Sequence, residues 1–86
     1  MGKIVHEFET EYNVGDVVIF RVKDGTLNVG IVEGYYVHDR NFWFNIRITP
    51  NFVYTYSNGG DIAEWDILGV VSEDLREKCF KEIAKN

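Results

Sequence analysis

Residues 17–31 read VVIFRVKDGTLNVGI, and the fold class turns on the Asp24-Gly25 step inside them. Two apolar-rich runs flank a dipeptide suited to the two positive-φ positions of a two-residue type I′ turn. Pairing across such a turn sets Val22 against Leu27, Phe20 against Val29 and Val18 against Ile31. All six are apolar and share one face, and a slip of one residue would break that match. The expectation is an antiparallel hairpin with one buried face.

Downstream the same punctuation by Gly and Asn continues. The second strand runs from Thr26 to about Val37 with Gly30 and Gly34 inside it, which marks a bend or a close backbone approach. Strict alternation turns Glu33 toward the core, so a bulge or rim position at Glu33-Gly34 is expected. His38–Asn41 reads as a four-residue loop that pairs Val37 with Phe42 and Tyr36 with Trp43. In the next strand Phe42, Phe44, Ile46 and Ile48 face one way and Trp43, Asn45 and Arg47 the other. A three-residue loop at Thr49-Pro50-Asn51 pairs Ile48 with Phe52, Ile46 with Tyr54 and Phe44 with Tyr56. Asn58-Gly59-Gly60 turns the chain into a strand over Asp61–Leu68, with Ala63, Trp65 and Ile67 as its apolar set, and 69–71 as a short tail.

Ser72 then suits a helix N-cap, with Glu73 and Asp74 in the first turn, where the macrodipole favours acids. Leu75, Cys79, Phe80 and Ile83 form an apolar stripe at helical spacing, and Lys85 closes the last turn. Upstream, Glu11–Asp16 is a turn, and residues 3–9 alternate as a first strand or extended arm with Ile4, His6 and Phe8 on one face. One domain is expected over residues 1–86, strands over 1–71 and a helix over 72–85.

Composition agrees. Eleven Val and eight Ile against three Leu, with 15% aromatics, suit pleated surfaces rather than helices. At 86 residues the core is thin, leaving little room to enclose a substrate. The net charge of −5 is unevenly spread. Residues 1–16 and 49–71 each carry −3, residues 17–48 carry +1, and 72–86 balance. An acidic chain argues against a DNA-coating protein and against an anionic membrane surface. The single cysteine, Cys79, excludes an internal disulfide and fits a reducing cytosol. No apolar run suggests a signal peptide or a membrane span.

The pattern Val14-Gly15-Asp16-Val17-Val18, followed by Gly30-Ile31-Val32-Glu33-Gly34, resembles KOW- and Tudor-type modules of the SH3-like barrel superfamily. The resemblance covers about residues 12–71. It implies a small mainly β SH3-like barrel of five to six antiparallel strands, here followed by a C-terminal α-helix. KOW modules imply nucleic-acid partners and a basic surface, which this acidic chain lacks. The methyl-ligand cage of Tudor domains does not map residue by residue.

No chemistry-bearing constellation emerges. Ser72 is accounted for as a cap, and Cys79 lies on an apolar stripe, where a buried thiol is inert. His6 sits on an apolar strand face, and no third group orients a Ser–His or Cys–His pair. One Cys and two distant His offer no zinc spacing, and turn chemistry accounts for His38-Asp39. Asn58-Gly59-Gly60 lacks the following helix of a phosphate cradle. The chain is therefore read as no enzyme, with no catalytic or metal residues and no cofactor.

The informative feature is the face opposite the core. Tyr36, Trp43, Asn45, Arg47, Thr55 and Ser57 are expected there, two large aromatics beside a guanidinium. Such mixtures are enriched at binding hot spots and can stack nucleobases. The terminal helix could cover this face or instead the outer side of the first hairpin, at Val17, Ile19 and Val32; the N-terminal strand could also cover it, or the cross-strand aromatics could serve only to support the sheet. The leading expectation is a non-catalytic protein-interaction module, an adaptor or accessory protein, by analogy with solitary barrels of phages and mobile elements. One alternative is a single-stranded nucleic-acid binder using the same aromatics with Arg21, Arg40 and Arg47. Another is an acidic mimic of nucleic acid that occupies a basic partner through Glu7, Glu9, Glu11, Asp61, Glu64 and Asp66.

Overall fold

A computed structural model describes residues 10–84. The expected first strand at residues 3–9, with His6, Glu7 and Glu9, lies outside them, as does Lys85. Six antiparallel strands form one sheet, followed by a single helix. The elements are β1 (Val17–Arg21), β2 (Leu27–His38), β3 (Asn41–Thr49), β4 (Phe52–Tyr54), β5 (Ile62–Ala63), β6 (Ile67–Val70) and α1 (Glu73–Ala84). Strand order is β4-β3-β2-β1-β6, and β5 pairs with β3. The segment from β5 to β6 thus runs from a pairing on β3 to the far edge beside β1. A 3-10 turn at Glu64–Asp66 makes the crossing.

The β1–β2 hairpin forms, but one residue out of the expected register. Val17 pairs with Ile31, Val18 with Gly30, Ile19 with Val29, Phe20 with Asn28 and Arg21 with Leu27. The loop holds three residues, closed by the Val22 N–H on the Thr26 carbonyl at 2.9 Å. Only Gly25 takes positive φ, and the Asp24 carboxylate accepts from the Thr26 N–H. Long-range packing sets this register. With Gly30 facing inward, β2 crosses tightly over β3: a Cβ there would collide with Ile46 and stand 2.7 Å from the Arg47 carbonyl oxygen. Leu27 and Val29 consequently turn outward and are exposed.

The turn with two positive-φ residues is Asp39-Arg40, so the expected four-residue loop shortens to two. The pairing beyond it is as expected, Tyr36 with Trp43 and Val37 with Phe42. The expected bulge is also present, since the register shifts between Val32 and Gly34 and leaves Glu33 exposed.

Beyond β3 two expectations are corrected. Ile46 does pair with Tyr54, but the register shifts after Arg47, so Thr49 rather than Ile48 meets Phe52. Strand β4 ends at Tyr54 because the Asn58 side chain takes up the Val53 carbonyl and the Thr55 N–H, turning the chain away. Phe44 therefore pairs with Ile62 rather than Tyr56. The expected strand over Asp61–Leu68 is broken by the 3-10 turn, which places Trp65 outside the core set of Ala63 and Ile67.

The main core holds Val18, Phe20, Val32, Phe42, Phe44, Ile46, Ile62 and Ile67. Each fully buried large side chain contributes about 1.5–3 kcal/mol. Tyr12 closes one end, its ring edge-on to Phe44 at 5.8 Å. A second cluster, Val17, Ile31, Val71 and Ile83, seats α1 on the outer side of the β1–β2 hairpin. Val32, expected on that outer side, belongs to the main core. The apolar stripe of α1 is narrower than its spacing suggests. Ile83 is 5% exposed and Cys79 half-buried, whereas Leu75 and Phe80 are 53% and 40% exposed. The small seat on the hairpin accommodates only one end of the stripe. Ser72 stands at the N-cap position, its carbonyl accepting from the Leu75 and Arg76 N–H groups. No helix among the described residues is long and apolar enough to cross a membrane.

Candidate functional site

Alternation along β3 points Phe42, Phe44 and Ile46 inward and leaves Trp43 half-buried on the opposite face. Tyr36 of β2 is its cross-strand partner. Each recruits a second aromatic from the segment after β4. The Tyr56 ring stands edge-on to Tyr36 at 6.1 Å, and Trp65 is edge-on to Trp43 at 5.5 Å. The outer members carry most of the exposure, Tyr56 at 73% and Trp65 at 58%. Polar bonds hold the inner members: the Tyr36 hydroxyl donates to the Asp61 carboxylate, and the Trp43 indole N–H donates to the His38 carbonyl at 3.3 Å. Burial, followed by the bond to Asp61, pushes the Tyr36 phenol up to about 12.

The remaining expected residues do not all join this face. Arg47 points to a separate cleft of about 470 Å³, lined also by Val14, Pro50 and Phe80. Its guanidinium is engaged by the Glu33 carboxylate and by the carbonyls of Thr49 and Pro50, at 3.2 and 2.8 Å. It holds the bulge to the β3–β4 turn. Asn45 is half-buried opposite Gly34, and its Oδ1 is buried with no hydrogen-bond partner among the described residues. The Thr55 hydroxyl accepts from the Asn58 N–H, a turn-forming contact, and Ser57 lies exposed in that turn.

Three residues of the face escape the alternation pattern. Tyr56 reads as a core partner of Phe44, Trp65 as a core member beside Ala63 and Ile67, and Asp61 as the start of a strand. The available signal is local: Glu64-Trp65-Asp66 places acids on both sides of a tryptophan, an odd neighbourhood for a core residue.

Trp43 and Trp65 wall a second cleft of about 370 Å³, with Tyr54 beside them and Asp24, Asp61 and Asp66 at its margin. Arg21 and Lys23 also reach it. Arg21 lies 3.6 Å from Asp66, and Lys23 donates to the Gly59 carbonyl at 3.1 Å. Tyr36, Tyr56 and His38 line a neighbouring hollow of about 380 Å³. The helix is seated on Val17 and Ile31 and also approaches β3, where Phe80 shares the first cleft with Arg47. No described residue of α1 lines the Trp43–Trp65 cleft or the Tyr36–Tyr56 hollow, so this aromatic face stays open.

Cys79 packs against the helix seat rather than beside a base. His38 is highly exposed, 3.5 Å from Asp39. Among the described residues no group of three or more His, Cys, Asp or Glu is placed to hold a metal ion. What the arrangement offers chemically is stacking, cation–π attraction and carboxylate contacts.

No protein-family model matches the chain, and neither a curated protein nor a solved structure matches it.

Proposed function

We propose that this chain is a small non-catalytic SH3-like barrel that serves as a protein-interaction module, an adaptor or accessory protein of the cytosol. One observation carries the functional reading: two half-buried aromatics, Tyr36 and Trp43, each support an exposed one, Tyr56 and Trp65, on a face the helix leaves open. Anchored aromatics with low entropy to lose are what binding hot spots use. The SH3-like reading is supported by the strand order and by the meeting of the two segments on which the resemblance rests. The Gly15 N–H donates to the Val32 carbonyl at 2.8 Å, and the Val32 N–H to the Asp16 carbonyl at 2.9 Å.

The test is affinity capture from the native host with wild type, Trp43→Ala and Trp65→Ala as baits. Loss of a captured protein with both variants is expected. A partner set unchanged by either substitution overturns the reading. Binding to single-stranded oligonucleotides at low salt, falling steeply as salt rises, would favour the nucleic-acid alternative instead.

A further inference from the structure

We propose that the cleft walled by Trp43 and Trp65 receives a cationic side chain, arginine or lysine, from a basic segment of a partner protein. This rests on the reading of the aromatic face as a partner surface and names the chemistry of the partner. Two independent features of the cleft lead to it.

The first is the wall. Trp65 is exposed, packs against Trp43 in a T-shaped pair, and lines the cleft of about 370 Å³ with it. Tryptophan is the side chain whose π-face attracts a cation most strongly. The second is the charge around that wall. Asp24, Asp61 and Asp66 outnumber Arg21 and Lys23 at the margin, and residues 49–71 carry −3 overall. The two cations offset two of those three charges and leave the margin one net negative charge. Lys23 is engaged with a backbone carbonyl, and Arg21 reaches Asp66 only at 3.6 Å from a part-exposed position. A guanidinium of the chain itself thus already stands at the mouth of the cleft beside Asp66. A partner's guanidinium would find the same carboxylate, with Asp61 and the indoles lining the same cleft. A nucleic-acid phosphate would instead meet three carboxylates against two cations, a net negative margin, and complementarity of this kind selects partners and steers their approach.

Trp43 and Trp65 are the only tryptophans, so their fluorescence reports on this cleft alone. The probe is a short peptide of alternating arginine and glycine, compared with the same peptide carrying neutral citrulline and with oligothymidylate. Saturable binding of the arginine peptide is expected, with no binding of the other two. Trp65→Ala should weaken it about tenfold or more, with Trp43 still reporting, and Asp66→Asn by several-fold. Arg21→Gln should tighten it by several-fold, because Asp66 is released; a gain cannot come from a chain that fails to fold. Equal binding of the citrulline peptide, stronger binding of oligothymidylate, or an arginine peptide indifferent to all three substitutions overturns the assignment. If the arginine peptide fails while a captured host protein still depends on Trp43 and Trp65, the basic-segment assignment falls and the partner face stands. If neither depends on those residues, both fall.

Discussion

Gly30 lies against Ile46 at the point where β2 crosses β3, and no other side chain fits there. A Cβ would strike the Ile46 Cγ2 and stand 2.7 Å from the Arg47 carbonyl oxygen, which belongs to the ladder and cannot move aside. Gly30→Ala should therefore destabilise the fold by about 1–3 kcal/mol through overpacking. Gly69, with no neighbour within 4 Å and no positive φ, is the control, and Gly69→Ala should stay within about 0.5 kcal/mol. Urea unfolding of the two variants measures the contrast.

That contact also explains why the register of the first hairpin, unlike its existence, is not legible in the local sequence. Asp-Gly is compatible with a two-residue turn and equally with a three-residue loop whose single positive-φ position is the glycine. Local chemistry does not choose between them; the crossing on Ile46, sixteen residues away in sequence, does. By contrast, the face of β3 and the Tyr36–Trp43 pair are legible, because the alternation is clean and the shorter turn at Asp39-Arg40 leaves the pairing unchanged. The irregularity at Glu33 is likewise legible as a bulge or rim position, since a carboxylate has no place in this core. Trp65 was hidden because Ala63, Trp65 and Ile67 mimic a strand. Only the crossing from β3 to β1 forces the 3-10 turn that expels the tryptophan.

Arg47 joins the Glu33 bulge to the Thr49 and Pro50 carbonyls, and its effect should be read in stability rather than in binding. Arg47→Met removes all of these bonds and should cost about 1–2 kcal/mol. Glu33→Gln should cost less, about 1 kcal/mol or below, because the pair is partly exposed and screened. Denaturant titrations rank the two, and the arginine peptide should bind both variants as it binds wild type.

The helix should prove to be held mainly by its last turns. Ile83→Ala empties a buried position and should cost about 2–4 kcal/mol. Leu75→Ala and Phe80→Ala, on the exposed part of the same stripe, should each cost about 1 kcal/mol or less. Equal losses at the three positions would mean that the whole stripe is seated.

Tyr36 makes stability depend on alkaline pH. Its phenol is raised from 10.0 to about 12, first by burial and then by the bond to Asp61. Above about 10 the unfolded chain releases this proton while the folded chain keeps it. The contribution is complete below about 10 and is lost as pH rises toward about 12. Tyr36→Phe should flatten the part of the stability–pH curve in that window that Tyr36 produces. Thermal melts across the window, with phenolate absorbance of the native protein, check this.

The claim that the Trp43–Trp65 face is where a partner docks is tested most directly by NMR mapping of the arginine–glycine peptide on the labelled protein. The account predicts that both indole N–H resonances and the amides of residues 61–66 shift together and saturate. Shifts gathered instead at Val14, Glu33 and Phe80, around the Arg47 cleft, or indole resonances that stay in place while other sites respond, would contradict it.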